Sequence, residues 1–337
     1  MSATAERTVV RLRLRLLLLA ALSPAAVAAG AEVPHRPLEI RNLAPFSALF
    51  GLPRMRGAAR STAALSLRLD HVSNFSSSSS GDTQIFQDGE TSHLSLGMRF
   101  PATPSSAFDF GVELPWVRHS SGELDRLIDN FHRTFDLPEG GRDRAPRDQL
   151  DILLRVDGEA VTAVNRRRSG LGDLRLWGGI GVYGNEQRTV RLRGSIKLPT
   201  GDAERLTGSG GTDASLWLEG SERAALATIG VTVTGGAGLV RLGRGDLAAR
   251  AQERWVPIGH LGLHRSLGRW HWSAQLDGHG ALFDLSVDQL GQPALQGTLG
   301  VRRRFGERHE LTGAIIEDLV SQSTSDVVFQ LQWQTTL

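Results

Sequence analysis

Cysteine is absent from the 337 residues. That excludes disulfide scaffolds, thiolate zinc sites, iron–sulfur clusters, cysteine nucleophiles and a lipoprotein anchor. Tyrosine occurs once and methionine three times. A long apolar run is missing too: the best stretch of the mature chain, Ala224–Val240, carries glycines and threonines and alternates like a strand. No Gly-x-Ser-x-Gly elbow and no His-Glu-x-x-His motif are present. An excess of one charge is lacking as well. The arginines of residues 1–28 account for the formal +2, and the remainder holds 34 basic against 35 acidic residues. A near-neutral chain argues against nucleic acid as a partner.

What is abundant is glycine, with 39 residues, and alternation. Residues 1–28 read as a signal peptide. Arg7, Arg11, Arg13 and Arg15 form the charged region, Leu14–Leu22 the apolar region, and Ala26-Val27-Ala28 the cleavage site, with Ala29-Gly30-Ala31 as second choice. Beyond it, Leu65, Leu67 and Leu69 alternate with Ser66, Arg68 and Asp70, and Leu94, Leu96, Met98 and Phe100 with His93, Ser95, Gly97 and Arg99. The same rhythm runs through 107–118, 188–199 and 270–282, and closes the chain at 326–337. Successive strand side chains face opposite ways, so each segment has one apolar and one polar face. Segments of about ten residues match tilted transmembrane strands. Aromatics at segment ends (Phe100, Trp116, Trp270, Trp272 and Phe329) match interfacial girdles.

The expected fold is therefore all-β: a monomeric transmembrane antiparallel β-barrel over residues 61–337 with about twelve strands, in a Gram-negative outer membrane. Connections alternate short and long, which puts both termini and the short turns in the periplasm and Ser76–Ser80 in a long external loop. Residues 29–60 read as a periplasmic arm or a plug, with Phe46 and Phe50 as a possible stopper. Residues 119–170 form the largest external excursion, with a helix over Glu123–Phe135 and a hairpin turning at Asp157-Gly158. Counting that hairpin in the wall gives fourteen strands, and parity does not choose between twelve and fourteen. Leu124, Leu127, Ile128, Phe131 and Phe135 share one helix face and are lid candidates.

Several segments resemble known families. Leu171-Gly172-Asp173-Leu174, Ile196–Asp202 and Gly208–Asp213 resemble outer-membrane barrels of the phenol meta-pathway type. The Arg41–Phe46 and Gly51-Leu52-Pro53 arm, with Asp129–His132 and Phe135–Pro138, is more closely similar to an uncharacterised bacterial family of outer-membrane proteins, a domain of unknown function. This resemblance, over about 38–337, implies an outer-membrane barrel and no established reaction.

Candidate chemistry is sparse. His71 and Ser73 lie at the outer end of the first strand, where lipid-facing catalytic groups would sit, but read as polar rim residues. Asp125, Asp129 and His132 read as a solvated helix face, and Asp173 and Asp213 as turn caps rather than calcium ligands. The informative set is the polar faces: Arg68, Asp70, Arg99, Asp109, Glu113, Asp173, Arg175, Arg191, Arg193, Lys197, Glu219, Asp277 and Arg302. These either brace the wall as ion pairs or line a hydrated pore.

The function expected is passive passage of a small-molecule solute, with no cofactor, no catalytic residue and no enzymatic activity. The alternative is a non-conducting barrel, structural or lipid-acting. Expected partners are outer-membrane lipid and lipopolysaccharide, and the barrel assembly machinery reading residues 326–337.

Overall fold

The computed structural model describes residues 36–57, 62–101, 108–122, 149–320 and 323–337. The leader and the expected Glu123–Phe135 helix, with lid candidates Leu124, Leu127, Ile128, Phe131 and Phe135, lie outside these residues.

The strands are β1 (Ala64–Ser80), β2 (Thr83–Pro101), β3 (Phe108–Ser120), β4 (Asp151–Val156), β5 (Glu159–Val164), β6 (Arg168–Leu171), β7 (Leu174–Gly184), β8 (Arg188–Leu198), β9 (Asp213–Leu226), β10 (Val231–Arg241), β11 (Trp255–Leu267), β12 (Trp270–His279), β13 (Ala294–Phe305), β14 (His309–Val320) and β15 (Val327–Thr336). Twelve of them, β1–β3 and β7–β15, pair antiparallel in sequence, and β1 pairs β15 to close the barrel. Closure leaves no edge with unpaired backbone groups, which is what hydrocarbon demands. Helix among the described residues is confined to short turns, as at Ser47–Leu49 and Asp288–Gly291.

The hairpin lies outside the wall and settles the count at twelve. β4 pairs with β5 and lies along the outer part of β2, Gln84–Asp88 against Arg155–Asp151. Its turn is Asp157-Gly158, with φ of 54° and 78°. Two left-handed residues make the tight turn that matches strand twist, and Asp-Gly tolerates both. β6 is a short addition on β3.

One expectation is corrected. Ser76–Ser80 does not lie in a long external loop. It is the end of β1, paired with Gln87–Thr83 of β2 through a tight turn at Gly81 and Asp82. Ladder hydrogen bonds to the partner strand order a stretch whose composition reads as linker. Elsewhere the connections are short at one barrel end and, apart from the six residues between β14 and β15, long at the other.

The two faces separate cleanly. Leu67, Leu96, Ile180, Leu216, Leu218 and Leu331 are exposed around the outside, and Arg68, Asp109, Glu113, Arg193, Lys197 and Glu219 are buried inside. A soluble protein does the reverse. An apolar belt exposed all round a closed sheet is the surface that lipid solvates.

Candidate channel interior

The lumen is filled by the chain's own residues 36–57. None of them joins the sheet. Arg36 enters at the short-turn end, ion-paired to Glu310 and donating to Gln334 Oε1 at 3.1 Å. Leu38 exchanges backbone bonds with the amide of Gln275, at 2.8 and 3.0 Å. Asn42 reaches the long-loop end, where its side chain donates to Ser323 O at 2.8 Å. The segment then turns through Ser47–Leu49 and comes back. Gly51 N–H donates to Asp213 at 2.7 Å, Arg54 pairs with Asp70 at 3.0 Å, and Arg193 donates to Gly57 O at 2.6 Å.

Two kinds of contact hold this plug. At the long-loop end it is apolar. Phe46 and Phe50 are fully buried among Leu206, Leu242, Leu247, Leu282, Phe283 and Leu290 from the loops, together with Ile152 and Leu154 of β4. Phe50 meets Phe283 edge-on, ring centroids 5.3 Å apart, a favoured aromatic geometry. Toward mid-barrel the contacts are ionic. Glu39 accepts from Arg56 at 3.1 Å and pairs with Arg68, which also holds Glu113 at 3.0 Å. Burial opposes ionisation of Glu39, but Arg56, Arg68 and Arg36 outweigh it and hold the carboxyl below its usual range. Arg56 stacks on Trp177, 4.0 Å from the ring centroid.

The inward-facing candidates sit in this network. Arg175 reaches the plug backbone, donating to Phe50 O at 2.8 Å and Ala48 O at 3.2 Å. Arg191 and Arg193 share Asp109, at 2.7 and 3.1 Å, and Arg193 also pairs with Glu219. Lys197 donates to Asp173 at 2.6 Å, to Ser209 Oγ at 2.6 Å and to Gly211 O at 2.7 Å. Arg302 lies 3.2 Å from Glu310. Asp277 accepts from Gln275 at 2.7 Å. Arg99 lines a cavity of about 30 Å³ beside the plug at the short-turn end, with Glu39, Arg56, Asp109 and Glu113. That volume suits about one water molecule.

Asp173 and Asp213 cap turns, the cheaper of their two readings: Asp173 accepts from Gly201 N–H at 2.9 Å, Asp213 from Gly243 N–H at 2.8 Å.

Three features escaped the reading of the sequence. The plug supplies Glu39, Arg54 and Arg56 to the network, and the signal was the five charges among residues 36–57 of the N-terminal arm. His260 and His264, four apart on one strand face, both meet Thr234 Oγ1, at 3.0 and 2.8 Å. Finally, His71 contacts Ser92 and Glu90 of β2 rather than Ser73. Cross-strand register, invisible in the sequence, chooses those partners.

The model of a family described as a protein of unknown function, DUF3187, matches residues 13–335. The chain belongs to this family. No curated protein matches it. Among solved structures, the DUF3187 chain is similar to the COG4313 outer membrane channel from Pseudomonas putida F1, with TM-score 0.55 and 11% identity, covering 83% of this chain and 97% of that one. It also matches the NanC porin, TM-score 0.47 and 8% identity, covering 81% and 100%. The KdgM porin in complex with oligogalacturonate gives TM-score 0.42 and 8% identity, covering 81% and 99%. At 11% identity the likeness to the Pseudomonas channel is one of fold, and it agrees with the closed barrel of this DUF3187 chain, which is of the outer-membrane type.

Proposed function

We propose that the protein is an outer-membrane channel that passes small molecules, with residues 36–57 as its displaceable plug. One observation carries the reading: the plug is held by side-chain contacts and backbone caps and makes no strand pairing with the wall. A segment built to stay would be expected to join the ladder. The polar inner faces are suited to water once the plug moves. The fold shared with the Pseudomonas channel supports the same reading. Lipid and lipopolysaccharide would cover the apolar belt. The assembly machinery would read the last strand, where Phe329, Leu331 and Trp333 alternate with glutamines.

The test is conductance in planar bilayers. Deleting residues 36–57 while keeping the leader should give steady, salt-dependent single-channel currents. The full chain should conduct rarely and briefly. A deletion variant that shows heat-modifiable gel mobility, and so is folded, yet passes no current would overturn the proposal.

A further inference from the structure

The outer face of β1–β3 carries a row of polar side chains where the apolar belt ends. Leu69 and Leu94 face each other across β1–β2 on the outside, 42% and 44% exposed, and Trp116 of β3 stands beside Leu94. One step toward the long-loop end, the outward pair is His71 and Ser92, and the next is Ser73 and Glu90. His71 Nδ1 lies 3.0 Å from Ser92 Oγ, and His71 Nε2 lies 3.0 Å from Glu90 Oε2. An ionised carboxylate only accepts hydrogen bonds, so Nε2 carries the ring proton toward Glu90. Nδ1 is then the acceptor facing the Ser92 hydroxyl. This is the order of nucleophile, base and orienting carboxylate used in acyl transfer, with the ring nitrogens exchanged.

The surroundings suit the same chemistry. Glu90 is fully buried, and the neighbouring Gly89 has φ of 139°. On its other side Ser92 is paired in register with Arg118 of β3. Directly opposed strand residues hold their Cβ atoms about 5 Å apart, within reach of a long side chain. The guanidinium can therefore approach the place where negative charge would develop.

We propose that Ser92, His71 and Glu90 form an ester-hydrolysing site on the outer wall, acting on the acyl ester of a membrane lipid. The acyl chain would lie along Leu69, Leu94 and Trp116, which brings its ester to the polar row. Ser92 Oγ attacks the carbonyl carbon as its proton passes to His71 Nδ1. The oxyanion forms beside Arg118. The C–O bond to the alcohol then breaks, and the leaving oxygen takes the proton back from His71. Water repeats the sequence on the acyl–Ser92 ester, releasing the fatty acid and restoring the hydroxyl. Ser92 and His71 are the catalytic residues and Glu90 is a positioning residue. The proposal rests on membrane placement of the barrel but not on conduction.

The test uses the full chain in detergent micelles, with a fluorophosphonate probe and a nitrophenyl ester of a long-chain fatty acid. The probe should label the peptide containing Ser92, and Ser92→Ala and His71→Asn should each lower hydrolysis at least a hundredfold. Glu90→Gln should lower kcat with little change in KM, and Glu90→Asp should restore part of it. All variants should keep heat-modifiable mobility. A folded wild-type chain that is unlabelled at Ser92, or hydrolyses no faster than Ser92→Ala, would refute the site and leave the barrel reading intact. Loss of heat-modifiable mobility in the wild type would instead strike the barrel reading itself.

Discussion

The plug is held in two different ways along its length, and the contrast shows how a lumen can be closed without being fused. At the long-loop end Phe46 and Phe50 sit in an apolar cluster. Such packing is non-directional and scales with buried area. At mid-barrel, Glu39, Arg54 and Arg56 are locked to Arg68, Asp70 and Glu113. Buried ion pairs give little net stability over an apolar replacement, because desolvation offsets attraction. What they add is position: each charge has one place where its partners are. The cap makes the closed state stable, and the ionic layer makes it specific.

The largest effect should come from breaking the ionic layer while leaving its partners behind. Arg193→Met takes the arginine partner from buried Glu219 and leaves Asp109 with Arg191 alone, and should cost about 3–5 kcal/mol, read as a lower denaturant midpoint in micelles. If the variant is as stable as wild type, the layer is hydrated and the contrast with the cap fails.

Removing a ring from the cap should cost somewhat less. Phe50→Ala should destabilise by about 3 kcal/mol, less if neighbouring loops collapse into the space. It should also raise the frequency of channel openings in bilayers, because the plug's apolar hold is lost. Pairing Phe50→Ala with Phe283→Ala sharpens this. The two rings touch, so their effects should fall short of additivity by about 1 kcal/mol.

Acid gives the smallest and most selective effect. Arg56, Arg68 and Arg36 hold the Glu39 carboxyl below its ordinary value of 4.5. Its contribution is complete above that value and is lost as pH falls through the lower folded one. The stability gap between wild type and Glu39→Gln should stay constant from pH 7 to 5 and narrow below about 4.5. A gap that is unchanged at pH 3 would mean that Glu39 is not gripped by its arginines.

Much of the wall was legible in the sequence. Period-two alternation at Leu65–Asp70 or Val190–Leu198 is a local property, because neighbouring strand residues must point to opposite sides. It therefore gave strand positions, the two faces and the inward set from Arg68 to Arg302. The hairpin turn at Asp157-Gly158 was equally local. Ser76–Ser80 was not. Its composition says linker, and only the facing residues of β2 make it strand.

The candidate sites divide along the same line. Which residues face inward followed from parity, but which of them pair did not. Arg193 and Gly57 are 136 positions apart, and Glu39 and the Gln330 amide are 291 apart. His71 meets Ser92 because β1 and β2 pair in one register, and a slip of a single residue would turn one of the two to the other face. The sequence by itself determined a two-faced, membrane-type barrel, since periodicity and turn chemistry act over a few residues. Only the tertiary structure decided that the lumen is filled, that the plug doubles back, and that Ser92, His71 and Glu90 stand in line. Those depend on contacts between segments far apart in the chain, which closure of the sheet brings together.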